Sequence, residues 1–174
     1  DVDRSFEVTK ATATVTLGSL NVTYDGSQKA ATATTNPASL PVDFTYDLSA
    51  TAPTNAGSYA VVGTINHANY QGSASGTLVI ATATQTITFG TLADRAYTTT
   101  QFALTATASS GLSVAYAIVS GPATLSGGNL TITGIGTVTV RASQAGNGNF
   151  NAAPDVDRSF EVTKATATVT LGSL

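Results

Sequence analysis

Apolar and polar residues alternate along much of this chain with a period of two, the spacing of strands that bury one face. In residues 42–46, Val42, Phe44 and Tyr46 fall on one side and Asp43 and Thr45 on the other. Phe6 and Val8 alternate in the same way with Ser5, Glu7 and Thr9. In the first half the pattern predicts strands over residues 11–17, 21–24, 29–34, 42–46, 58–66 and 76–81. The last two are the most apolar and so central, with Tyr59, Val61 and Ile65 directed at a core. In the second half it predicts strands over 86–89, 102–108, 113–119, 123–125, 129–133, 137–143 and 158–164. Between them stand Asp25-Gly26, read as a hairpin turn, Asn36-Pro37, which ends a strand because proline lacks the ladder donor, and Gly111, Gly121-Pro122, Gly127-Gly128 and Gly134. Seven short strands with turn signals between them are the sequence form of a Greek-key sandwich. The expected fold class is all-β, with two tandem immunoglobulin-like/Greek-key β-sandwich domains.

One stretch occurs twice without change. DVDRSFEVTKATATVTLGSL is found at residues 1–20 and again at 155–174. Recurrence on that scale is the signature of a repeat architecture, and it predicts that the chain is one period of a longer tandem array. Each copy divides at a lysine, Lys10 or Lys164, into the end of one domain and the start of the next. Residues 1–9 are then the last strand of a preceding repeat's domain, 10–83 one complete sandwich, 84–164 a second, and 165–174 the first strand of the next repeat. Phe160 is expected in the core of the second sandwich. Phe6, its counterpart, is expected to be unpaired or to complete a neighbouring molecule. The linker around residues 81–85 lacks Gly and Pro, which predicts a stiff rod.

Composition narrows the function. Charged residues are 10% of the chain, against about 25% in ordinary globular domains, while strand-favouring Thr and Val are abundant. A net charge of -3 with only 7 Lys and Arg offers no footprint for nucleic acid. No apolar run approaches the roughly 18 residues of a membrane span, so no membrane insertion is expected of this segment. Cys and Met are absent, which suits a long-lived polymer in an oxidising environment.

Candidate chemistry is sparse. The single histidine, His67, lies in a polar turn and has no cysteine or second histidine to share a zinc, so a solvated loop residue is the ordinary reading. Calcium is the more serious metal: Asp155, Asp157 and Asn149 supply oxygens near a long Asn-rich loop, with Arg158 as a neutralising partner. A lysine–asparagine isopeptide through Lys10, Lys29 or Lys164 would need a buried acid beside it, and lysines at strand ends are ordinarily solvated. The Gly127-Gly128 and Gly134–Gly136 glycines precede no helix and are turns, not a phosphate loop. Tyr24, Tyr70, Tyr97 and Phe150 lie near turns, where rings usually cap a core and less often stack on sugars. No catalytic constellation is present, no enzyme is expected, and calcium is the one cofactor candidate.

Three stretches carry resemblances. Asn55-Ala-Gly-Ser-Tyr59, just ahead of an apolar strand, resembles the tyrosine corner of immunoglobulin-like sandwiches, which implies a hydroxyl bond from Tyr59 back to upstream backbone. Residues 10–83, with TYDGSQKAATATTNP, TAPTNAGSYAVVGTI and NYQGSASGTLVI, resemble the MBG (mostly beta, glycine-rich) domain of large bacterial surface proteins. Residues 85–164, with QTITFGTLADRAY and RSFEVTK, resemble bacterial immunoglobulin-like repeats. The resemblance implies a structural repeat of an extracellular stalk, sheath, fibre or adhesin on the bacterial surface. Its implied partners are identical repeats head to tail, with lateral self-association as a further option. The alternatives are a glycan- or calcium-dependent adhesive module and a spacer in a secreted enzyme.

Overall fold

The computed structural model describes residues 4 and 6–171. All regular structure in them is β, and the chain divides into two compact units, Asp1–Ala83 and Thr84–Leu174.

The first unit contains β1 (Ala11–Thr12), β2 (Thr14–Gly18), β3 (Asn21–Thr23), β4 (Thr32–Asn36), β5 (Val42–Tyr46), β6 (Gly57–Ile65), β7 (Tyr70–Gln71) and β8 (Ser73–Ala81). One sheet has the order β3-β8-β6-β5, and opposite it β2 pairs antiparallel with β4. A short parallel pair, β1 with β7, closes one side. Alternation along β6 and β8 places Val61, Leu78 and Ile80 inward, where they pack with Tyr46 and Ala31. Residues 21–23 do not form a hairpin through Asp25-Gly26. They leave the β2–β4 sheet and pair parallel with β8, because a short extended segment whose free edge faces the last strand finds its hydrogen-bond partners there.

The second unit contains β9 (Ile87–Phe89), β10 (Arg95–Ala96), β11 (Phe102–Ala103), β12 (Ala106–Ala108), β13 (Ala115–Ser120), β14 (Ala123–Ser126), β15 (Asn129–Ile132), β16 (Gly136–Ser143) and β17 (Val156–Thr163). One sheet is β10-β17-β16-β13. Two smaller sheets, β12-β9 and β11-β15-β14, supply the other side of the core and are connected along the chain by residues 102–108. The expected unbroken strand over 102–108 is two pieces because its first half pairs with β15 and its second with β9. Between the sheets lie Phe89, Leu130, Ile132, Val138, Val140, Phe160 and Val162. This is an immunoglobulin-like Greek-key sandwich in which the first strand changes sheets: β9 runs antiparallel to β12, then β10 runs parallel to β17. The first unit repeats the device, with β2 antiparallel to β4 and β3 parallel to β8.

The duplicated sequence meets two environments. Phe160 and Val162, in β17, are 2% and 1% exposed, whereas their counterparts Phe6 and Val8 are 87% and 81% exposed and belong to no strand. Residues 11–17 form β1 and β2, whereas their counterparts Val169 and Leu171 are 87% and 89% exposed.

Candidate functional site

A feature shared by both units is the contact of the last strand with an early one, β3 in the first and β10 in the second. In the first, Asn21, Val22 and Thr23 stand opposite Val79, Ile80 and Ala81, extended by Val79 N–H donating to the Leu20 carbonyl (2.7 Å) and Tyr24 N–H to the Ala81 carbonyl (2.9 Å). In the second, Arg95 and Ala96 face Val162 and Thr163, and Tyr97 N–H donates to the Thr163 carbonyl at 2.8 Å. The Glu161 amide adds a bond to Asp94 Oδ1 at 2.7 Å. β10 escapes sequence reading because a two-residue strand has no periodicity to detect. A side-chain stack holds it: the Arg95 guanidinium carbon lies 3.5 Å from the centre of the Phe102 ring, and Phe102 meets Phe160 edge-on at 5.9 Å.

The solvent face of the β16–β17 hairpin is tied by side chains as well. The register sets Thr137 opposite Glu161, Thr139 opposite Ser159 and Arg141 opposite Asp157. Thr137 Oγ1 donates to Glu161 Oε2 at 2.7 Å, and Thr139 and Ser159 share a hydroxyl bond at 2.9 Å. Arg141 grips Asp157 with Nε and Nη2 at 2.8 and 2.9 Å, with Asp155 3.6 Å away. The guanidinium holds the Asp157 carboxyl below the ordinary carboxylate range, first by hydrogen bonding and then by charge, and Asp157 in turn raises Arg141.

That grip corrects the reading of Arg158 as the neutralising partner of these carboxylates. Successive residues of a strand point to opposite faces, so Arg158 turns inward, where Nε donates to the Phe89 carbonyl at 2.9 Å and ties β17 to the end of β9. Arg141, on the neighbouring strand, is the cation that Asp157 meets. Asn149 lies in the turn of the adjacent loop, where its amide donates to Asn147 Oδ1 at 2.8 Å. Among the described residues no group of three His, Cys, Asp or Glu side chains is placed to hold a metal.

Tyr59 Oη donates to the Asn55 carbonyl at 2.8 Å, four residues upstream and just before β6. A second tyrosine, which sequence reasoning placed only on the apolar face of β5, does more than pack. Tyr46 is 4% exposed, and its hydroxyl accepts the buried Ala31 amide at 2.9 Å, bridging the two sheets of the first unit. Nor does the sequence point to Gln85, a polar side chain only 3% exposed. Its amide nitrogen donates to Gln144 Oε1 (2.8 Å) and to the Asn151 carbonyl (2.7 Å), and its oxygen accepts from the Ser110 hydroxyl. One side chain thus ties the start of the second unit to its β12–β13 and β16–β17 loops.

The remaining candidates are bound locally. Lys29 pairs with Asp25, whose carboxyl is held well below its usual range by Lys29 and then Ser27, and Lys10 Nζ donates to the His67 carbonyl at 2.9 Å. His67 Nδ1 accepts the Asn69 amide at 3.1 Å and its ring lies 5.3 Å from Tyr70. A recess of about 560 Å³ between β13 and the β14–β15 turn is lined by Leu104, Val114, Tyr116, Leu125 and Gly127-Gly128, with no ionisable side chain except Tyr116.

Among the described residues no helix is long and apolar enough to cross a membrane. No curated protein matches the chain. Among solved structures it is similar to human protocadherin-24 EC1-2 (crystal form II), at 12% identity over 84% of this chain and 96% of that one, with a TM-score of 0.36. Residues 13–84, which span most of the first unit, match the MBG domain.

Proposed function

We propose that this chain is a structural repeat unit of a long extracellular bacterial stalk, sheath, fibre or adhesin, whose work is reach and resistance to tension rather than catalysis. One observation carries the reading. In each unit the segment that follows the change of sheets lies beside the last strand and parallel to it, β3 (after β2) against β8 and β10 (after β9) against β17. Tension along the polypeptide pulls two such strands in opposite directions along their common axis. It therefore loads their hydrogen bonds together in shear, not one after another as in peeling. The MBG match over residues 13–84, the low charge and the recurrence of an unchanged sequence support a repetitive surface protein. The neighbouring repeats would be its partners, head to tail.

Single-molecule stretching tests it. The Tyr97→Pro chain loses the N–H that reaches the Thr163 carbonyl, and Tyr24→Pro loses the one that reaches Ala81. Each variant should lower the peak unfolding force of its own unit and leave the other unit's peak unchanged. Unfolding at forces that neither substitution alters would remove the tensile reading.

A further inference from the structure

The first unit holds residues 11–17 in a seat with four definable parts. β4 pairs with β2 from Thr14↔Asn36 to Gly18↔Thr32, and β7 pairs with β1 at Ala11↔Tyr70 and Thr12↔Gln71. Backbone bonds from the Ala11 amide to the Asn69 carbonyl (2.8 Å) and from the Ala13 amide to the Gln71 carbonyl (2.9 Å) anchor the start. Glycines form the floor. A Cβ at Gly72 would come within 2.1 Å of the Ala13 carbonyl oxygen, and one at Gly63 or Gly76 would crowd the Leu17 methyls at 3.0 and 3.3 Å. Ala13 itself is 5% exposed, so the seat takes a backbone drawn close over Gly72, a small buried residue at the Ala13 position and a leucine four residues on, inserted in this register.

That sequence is present twice. Residues 165–171 read ATATVTL, letter for letter the same as residues 11–17, but they form no strand and leave Val169 and Leu171 almost fully exposed. Whatever favours residues 11–17 in the seat favours residues 165–171 equally, since each contact would be made by the same atom types on the same backbone. We propose that the seat accepts residues 165–171 of a second copy of this chain in place of its own residues 11–17, so that copies join head to tail by strand exchange. Occupant and displaced segment are identical, so the contact energies cancel and the balance is set by concentration and by the freedom lost on association. The contact is heterologous. It propagates as an open line of copies instead of closing into a symmetric dimer. The inference goes beyond the structural role above and stands or falls apart from it, because it concerns which segment fills one seat and not what load the protein bears.

The test uses the full chain in three variants, Leu17→Asp, Leu171→Asp and the double substitution, followed by light scattering after size exclusion and by thermal melting. A charge at position 17 removes the resident segment from competition and leaves the seat for residues 165–171. The Leu17→Asp chain should reach about twice the monomer mass or more, rising with concentration, and should keep the melting transition of the first unit. Leu171→Asp should stay monomeric at every concentration, whereas the unaltered chain, in which the two segments compete for the seat, should associate only at concentrations above those that suffice for Leu17→Asp. The double variant should be monomeric with that transition lost. The proposal is overturned if Leu17→Asp remains monomeric, whether its first unit is unfolded, is as stable as before, or is rescued in a way that Leu171→Asp abolishes. That last result would mean the segment folds back on its own chain.

Discussion

The duplicated sequence provides an internally controlled measurement of what tertiary context contributes to one side chain. Phe6 and Phe160 have identical neighbours for several residues on either side, and both are to be replaced by alanine. Phe160 is 2% exposed, stands edge-on to Phe102 at 5.9 Å and packs into the core between the sheets of the second unit. Truncating a buried phenylalanine forfeits its transfer energy and leaves a cavity, a loss of about 3–5 kcal/mol. At roughly 4–8 °C per kcal/mol for a domain of this size, the transition of the second unit should fall by well over 10 °C. Phe6 is 87% exposed and has no strand partner, so the same substitution there should change stability by no more than about 0.5 kcal/mol. Urea melts of the two variants and the parent chain decide the matter, because the midpoint shifts while the slope, set by the area exposed, stays nearly constant. Equal losses at the two positions, or a larger loss at Phe6, would refute the assignment of the later copy to the sandwich.

Other outcomes follow from the site geometry. Gln85→Leu keeps the volume but deprives the Ser110 hydroxyl of its acceptor and Gln144 Oε1 of a donor; it should cost about 2–4 kcal/mol and speed amide exchange at Gly146, whose N–H shares the Gln144 oxygen. Tyr46→Phe removes only a hydroxyl, yet it strands the buried Ala31 amide, so a loss of about 1–3 kcal/mol is expected on chemical denaturation, and Tyr59→Phe should cost less because its bond is exposed. The Asp157 carboxyl is held below its ordinary value by Arg141, so its contribution to stability is complete above the unfolded carboxylate pKa of about 3.9 and fades as pH falls through the lower folded value. Asp157→Asn should flatten that acid limb, and added salt should weaken it, both visible in melting temperature measured from neutral pH downward.

Local pattern carried far into this fold. Alternation placed Val61, Ile65 and Phe160 inward, and the turn residues bounded most strands of the second unit within a few positions. It failed where the deciding interaction lay far along the chain. Asp25-Gly26 has hairpin chemistry, but β3 pairs with β8, more than fifty residues later, so the turn joins two sheets instead of two neighbouring strands. Arg158 sits beside Asp157 in sequence and faces away from it, while Arg141 meets it across the register. Gln85 looks like any linker glutamine until Ser110 from the β12–β13 loop and Gln144 and Asn151 from the β16–β17 loop converge on it.

The amino-acid order by itself determined that this chain is built of strands, which face of each is apolar, and that two stretches of it are the same. The division into repeats already pointed to the later copy of the closing strand and the earlier copy of the opening one, but nothing in the residues of the two copies tells them apart, because a strand has no hydrogen bonds of its own and borrows every one from a neighbour. Residues 160 and 162 are buried because β16 and β10 lie on either side of β17, and residues 11–17 are seated because β4, β7 and three glycines receive them. The identical residues elsewhere have the same propensities and no such neighbours, and they stay exposed.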